Sequence, residues 1–171
     1  ISNKSIVPPE LEAQVIFIDA NSNGFLDAGE KGKIKLKVGN KGEGSAFGVS
    51  VSLKSEMQNN DLTFDQLKII GEIKSQETKT VEFEINSSKK VKRLQNNLVF
   101  EFKESYGFIP NPIKLSFETL PFVPPNIELV DYGVNTPNSN NEIRPKTETE
   151  VEVRFQNTGQ GISENVNFKI N

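Results

Sequence analysis

The feature that most limits the fold is a period-two alternation of apolar and polar residues that recurs along the chain. In residues 33–38, lysines alternate with Ile, Leu and Val. Successive side chains of a strand point to opposite faces, so such a run puts aliphatic residues on one face and charges on the other. The runs are residues 11–18, 33–38, 49–53, 67–73, 81–85, 98–102 and 113–117. Seven short strands separated by polar turns predict an all-β chain, an immunoglobulin-like antiparallel β-sandwich.

One segment is predicted to be helical. Residues 87–97 lack the alternation, and Ser87 or Ser88 is a suitable N-cap. The segment carries a basic cluster of Lys89, Lys90, Lys92 and Arg93. A solvated face explains this cluster, and an acidic partner surface is the alternative.

An internal repeat predicts two copies of the sandwich. Pro8-Pro9-Glu10-Leu11 recurs as Pro124-Pro125-Asn126-Ile127, and residues 34–53 align with residues 151–170. The aligned pairs include Asn40 with Asn157, Gly42 with Gly159 and Gly44 with Gly161. We expect a complete domain over residues 8–122 and the first half of a second over 124–171, truncated before its later strands. Pro121, Pro124 and Pro125 predict a short, semi-rigid linker; chance similarity between two alternating segments is the alternative explanation of the repeat.

Composition excludes several classes of function. The 171 residues include no Cys and no His, which removes thiol and His-dependent catalytic arrangements, zinc sites and disulfides. A net charge of −3 argues against nucleic acid as a partner, and no apolar run is long enough for membrane insertion. No signal segment is present in the chain. These exclusions favour a binding or structural module over an enzyme.

The strongest chemical motif is DANSNGFLDAGE, residues 19–30, which matches the calcium-loop pattern D-x-[DN]-x-[DN]-G-x5-E. The pattern predicts a Ca²⁺ site in which Gly24 permits the sharp turn and Leu26 points into the core. The predicted metal ligands are Asp19, Asn21, Asn23, the backbone carbonyl of Phe25, Asp27 and Glu30. All are hard oxygens, the ligands that calcium prefers over those suited to zinc or copper.

The flanks of this motif are strand-like, so we expect a calcium loop between two strands and not a helix-paired EF-hand. Its role would then be structural, with a dissociation constant of roughly 10⁻⁶ to 10⁻³ M. The alternative is an Asx-rich surface turn that binds no metal. At the matching positions the second copy has Thr136, Arg144 and Thr147, with Asn138 and Asn140 between them, so it should not bind calcium.

The calcium motif, the following alternation and the run N-K-G-E-G-x-A-x-G-V-x-V-x-L resemble bacterial tandem Ig-like repeats similar to the cell-adhesion-related domain found in bacteria (CARDB). The resemblance covers most of the first copy and half of the second. It implies an exported protein, extracellular or at the cell surface, in which such domains stand beside adhesive or catalytic domains. Fold analogy by itself does not establish function.

The sequence therefore predicts a non-catalytic, calcium-binding module serving adhesion, display or spacing. Its partners would be neighbouring domains of the same polypeptide, with a surface protein or a glycan as further candidates. The alternative is a carbohydrate-binding module of a secreted or surface enzyme, with Tyr106, Phe108 and Tyr132 as a stacking platform.

Overall fold

The computed structural model describes residues 7–136, 142–163 and 165–169. The chain divides into two compact units, residues 1–122 and 123–171. In its described part, the first unit has nine strands: β1 (Leu11–Ile18), β2 (Leu26–Asp27), β3 (Lys31–Asn40), β4 (Ala46–Ser55), β5 (Leu62–Phe64), β6 (Leu67–Ile73), β7 (Thr78–Ser87), β8 (Leu94–Lys103) and β9 (Ile113–Leu120). The second unit has β10 (Ile127–Asn135) and β11 (Glu150–Asn157).

Two sheets form the first unit. One has the order β1-β3-β7-β5 and is antiparallel throughout. The other has the order β2-β9-β8-β4-β6, in which the short β2 lies parallel to β9 and the remaining pairs are antiparallel. The all-β sandwich predicted from the alternation is confirmed, with one short parallel pair added.

The core lies between the sheets, where the alternation directs the apolar residues. Ile34, Leu36 and Val38 of β3 are fully buried, while the intervening lysines face outward and Lys33 pairs with Glu82 at 3.5 Å. From the facing sheets, the rings of Phe83 and Phe100 meet edge-on, with centroids 5.6 Å apart. Burial of this apolar stripe is the main stabilising term, at about 25 cal/mol per Å² removed from water.

The helix predicted over residues 87–97 is wrong. Residue Ser87 ends β7, residues 88–93 form a turn, and β8 begins at Leu94. The Ser88 hydroxyl accepts a hydrogen bond from Lys90 N (3.0 Å) and donates one to Asp61 (2.6 Å), so it stabilises a turn between two strands. The pairing of β8 with β4 and β9 outweighs the weak local helix preference.

The second unit is a strand pair with an exposed apolar surface. β10 and β11 pair from Ile127 opposite Asn157 to Asn135 opposite Glu150, with one bulge between Leu129 and Asp131. Tyr132 is 70% exposed, whereas Val15, the corresponding residue of β1, is partly buried against the core of the first unit. A strand pair this small cannot bury its own apolar residues.

The bulge explains an irregularity of the internal repeat. Pro8 and Pro124 are 116 positions apart, whereas Asn40 and Asn157 are 117 apart. β1 and β3 pair without a shift, and the bulge in β10 supplies the one additional residue. Beyond the bulge, the positions aligned 117 residues apart therefore have the same strand pairing in both units.

Among the residues that the structure describes, no helix is long and apolar enough to cross a membrane.

Candidate functional site

The calcium-motif loop connects β1 to β3 and is attached to two other strands. β1 and β3 flank it as strands, as its surroundings in the sequence predicted. Leu26 is fully buried in the core, and Leu26–Asp27 form β2, which pairs with the last two residues of β9. On the other side, Glu30 N donates to the Ser87 hydroxyl (3.1 Å) and Ser87 N donates to the Glu30 carbonyl (3.0 Å). The loop is thus held in place from the core and from the end of β7.

The carboxylates at the two ends of the motif close the loop through backbone N–H groups. Asp19 Oδ2 accepts from Asn23 N at 2.6 Å and from Gly24 N at 3.1 Å. Glu30 Oε1 accepts from Ala20 N (2.5 Å) and Asn21 N (3.3 Å). The other oxygen of Glu30 accepts from Asp27 N at 2.7 Å. Both carboxylates therefore point toward the interior of the twelve-residue loop.

The two asparagines among the predicted ligands meet at Asp27. The side-chain amides of Asn21 and Asn23 both donate to Asp27 Oδ2, at 2.6 and 2.9 Å. Asn23 Oδ1 accepts from Phe25 N at 2.8 Å. Rotating the side-chain amide of Asn21 or Asn23 by a half-turn would exchange the positions of its nitrogen and oxygen.

The donor set fits a hard cation, although the carboxylates do not form a tight cluster. Asp19, Asn21, Asn23, Asp27 and Glu30 are joined within one hydrogen-bonded loop, and every side-chain oxygen among them suits calcium. In the described parts of the chain, no three His, Cys, Asp or Glu side chains are gathered as a metal site would require. Closer convergence would need Asn21 and Asn23 to release Asp27.

The corresponding loop of the second unit keeps the backbone turn without the acids. Thr147 N donates to the Arg144 carbonyl at 3.3 Å, as Glu30 N does to the Asp27 carbonyl at 3.0 Å. Lys146 has φ of 63°, matching Gly29 at 80°. Asn138 and Asn140 lie outside the described residues. The turn therefore does not require the carboxylates.

Sequence reasoning recognised Asn40 only as a repeated turn residue and missed its four hydrogen bonds. Asn40 is 2% exposed; its Oδ1 accepts from Glu10 N and Gly42 N, both at 3.0 Å. Its Nδ2 donates to the carbonyls of Gly44 (2.7 Å) and Ile73 (3.1 Å). The repeat of Asn-x-Gly-x-Gly was the signal that could have identified this role.

The aromatic residues considered for glycan binding are divided between the units. Tyr106 and Phe108 lie in a turn, residues 104–109, of the first unit, whereas Tyr132 belongs to the second unit. The Tyr106 ring meets Phe47 edge-on, at 84° and 6.3 Å between centroids. This arrangement does not form a flat two-ring platform.

Glu104 holds this turn together. Its carboxylate accepts from Phe47 N (3.0 Å), Tyr106 N (2.7 Å) and Phe108 N (3.2 Å). Partial burial raises the pKa of Glu104, but the backbone N–H groups of Phe47, Tyr106, Phe108 and Gly107 outweigh it and hold the pKa below its usual value. Because the pKa is lower in the folded state, the ionised Glu104 carboxylate stabilises the fold at pH values above its unfolded-state pKa. This stabilisation is lost as the pH falls through the folded-state pKa.

Glu104→Gln should therefore lower stability most at neutral pH. We expect a loss of about 1–2 kcal/mol near pH 6, which shrinks as the pH falls through the lowered folded-state pKa, because wild type loses the same charge there. Thermal unfolding of both proteins across this range measures the difference. Glu43→Gln, at an exposed position, is the control. If the difference in melting temperature between wild type and Glu104→Gln were the same at every pH, the stabilising role of the Glu104 charge would be contradicted.

No protein-family model matches the chain, and no curated protein matches it. Among solved structures, the chain is similar to a CARDB domain from Pyrococcus furiosus, crystallised in complex with di-metal ions. That alignment has a TM-score of 0.52 and 11% identity, and it covers 70% of this chain and 95% of that chain. The facing sheets and this likeness together decide the fold. The fold is an immunoglobulin-like β-sandwich.

A second likeness is to part of a much longer protein. The native conformation of E. coli alpha-2-macroglobulin matches at a TM-score of 0.52 and 11% identity, over 74% of this chain and 8% of that chain. At such identities the likeness concerns the fold alone. The resemblance to CARDB domains noted in the sequence is supported at that level.

Proposed function

We propose that the chain is a non-catalytic, calcium-binding, immunoglobulin-like module of an exported bacterial protein, serving adhesion, display or spacing of neighbouring domains. The observation that carries this proposal is the closed loop of residues 19–30, in which both carboxylates at the ends point inward and all the side chains predicted as ligands are linked. The CARDB-like fold supports an adhesion-related role.

Asp19, Asn21, Asn23, Asp27 and Glu30, with the Phe25 carbonyl, would hold the ion. A bound Ca²⁺ would supply positive charge that offsets the three carboxylates of the loop. The loop connects β1 to β3 in one sheet, and its β2 residues pair with β9 in the other. An ion in the loop would therefore stabilise its attachment to both sheets. At calcium a hundredfold above the dissociation constant, the gain in unfolding free energy is about 2.7 kcal/mol.

The second unit is proposed to be the first half of another copy of the domain. Its support is the shared strand pairing beyond the bulge, together with the exposed apolar residues on β10 and β11. Without the acids of residues 19–30, this copy supplies a control for calcium binding inside the same protein.

Calorimetric titration with CaCl₂ tests the metal site. We expect wild type to bind one equivalent, with a rise in melting temperature, and Glu30→Gln or Asp19→Ala to bind at least about tenfold more weakly, because each loses a charged ligand. Glu148→Gln removes one exposed carboxylate from the second unit and should bind like wild type. A flat wild-type titration at 10 mM calcium (about tenfold above the weakest affinity expected), or unchanged binding in Glu30→Gln, would exclude the calcium site.

A further inference from the structure

Both units hold the segment that leads into their first strand in the same way. In the first unit, Lys41 N donates to the Glu10 carbonyl at 2.8 Å, and Asn40 Oδ1 accepts from Glu10 N. In the second, Thr158 N donates to the Asn126 carbonyl at 2.8 Å, and Asn157 Oδ1 accepts from Asn126 N at 3.1 Å. Asn157 Nδ2 donates to the Gly161 carbonyl at 2.7 Å, the same distance as from Asn40 to Gly44.

The glycines of these corners allow close backbone contact with the proline segment. A Cβ on Gly44 would lie 1.8 Å from the Val7 carbonyl oxygen, and one on Gly161 would lie 1.8 Å from that of Val123. Likewise, a Cβ on Gly42 or Gly159 would lie 2.4 Å from the backbone nitrogen of Glu10 or Asn126. Any side chain at these positions would push the segment away, so glycine is required by contact and not by turn geometry.

The bound segment is chemically suited to such a contact. Val-Pro-Pro occurs at residues 7–9 and again at residues 123–125. Proline fixes φ and favours an extended chain, so holding it costs less conformational entropy than holding other residues. In each unit the residue after the second proline, which has the N–H that proline lacks, donates that N–H to the asparagine side chain of the corner. In the first unit, Gly44 N also donates to the Pro8 carbonyl at 3.3 Å.

We propose that the Asn-x-Gly-x-Gly corner, residues 40–44 and 157–161, is a docking site for the Val-Pro-Pro segment of its own unit. The connector between the units is then reduced to Pro121 and Phe122, which follow the end of β9 at Leu120. Pro124 and Pro125, which the sequence assigned to a linker, become part of the second unit. Such a connector suits a spacing role, and the inference does not depend on calcium binding.

Backbone ¹⁵N relaxation of the full chain tests this proposal without any mutation. We expect order parameters near about 0.85 for Val123 and Asn126 and a lower value for Phe122. If Val123 and Asn126 are as mobile as Phe122 in wild type, the proposal is overturned, whatever the calcium titration shows.

Matched glycine variants test the cause. Gly161→Val should bring the order parameters of Val123 and Asn126 below about 0.6 while Glu10 is unchanged. Gly44→Val should instead lower the order parameters of Val7 and Glu10. Gly133→Val is the control, because a Cβ at Gly133 would meet no atom within 4 Å. If β10–β11 amide shifts are retained and Gly161→Val leaves Val123 rigid, the corner is not the docking site.

Discussion

Asn40→Asp should destabilise the first unit by about 3–5 kcal/mol, a cost typical of disrupting a buried, fully hydrogen-bonded polar group with a charge. Asn40 is 2% exposed and uses both ends of its amide. The aspartate would keep the acceptor for Glu10 N and Gly42 N. It would also place an oxygen where Nδ2 now donates to the carbonyls of Gly44 and Ile73.

Urea denaturation followed by circular dichroism measures this loss. Asn157→Asp is the matched control, since Asn157 occupies the corresponding corner but is exposed, and the unfolding midpoint of the first unit should not move. A loss below about 1 kcal/mol in Asn40→Asp would show that the four hydrogen bonds of Asn40 do not hold the corner.

Phe83→Ala should cost a similar amount, about 3–5 kcal/mol, because it leaves a cavity between the sheets. Phe83 is fully buried on β7, its ring meets Phe100 edge-on, and the Lys68 ammonium lies 5.8 Å from its centroid. The aromatic pair adds about 0.5–1.5 kcal/mol beyond area burial. Domains of this size have a free energy of unfolding of only about 5–15 kcal/mol, so the substitution would remove a large part of it.

Differential scanning calorimetry can measure this effect with two comparisons. Phe83→Leu, which keeps more of the volume, should cost clearly less than Phe83→Ala. Phe122→Ala, at a residue 64% exposed, should leave the transition of the first unit within about 0.5 kcal/mol of wild type. Equal losses in the two Phe83 variants would argue against a cavity as the cause.

The strands were predictable where one face is buried. The runs at residues 11–18 and 67–73 coincide with β1 and β6. In β1 the alternation reports which side chains pack against the core. In β6 it does not, because Leu67 and Ile69 are exposed. β2 and β5 were missed, since two or three residues are too short to show a period. The turn at residues 88–93 was mistaken for a helix because local propensity contains no information about strands β4 and β9.

The candidate site, too, was only partly predictable from the sequence. Spacing alone identified residues 19–30 as a loop with inward-pointing oxygens and assigned Leu26 to the core, where it is buried. That the Asn21 and Asn23 amides point at Asp27, and that Ser87 holds the loop from β7, depends on distant strands and side-chain rotation. The calcium site itself stays a prediction.

Periodicity, turn residues and the internal repeat were enough to determine a two-sheet sandwich, its inward-facing residues and the position of its acidic loop. These follow from local rules, because the backbone alternates its side chains whatever lies opposite them. Only the tertiary structure decided what Asn40, Gly42 and Gly44 contact, and that Pro124 and Pro125 lie against the corner of the second unit. The reason is that these contacts join segments about thirty residues apart, and only the pairing of β1 with β3 and of β10 with β11 brings those segments together.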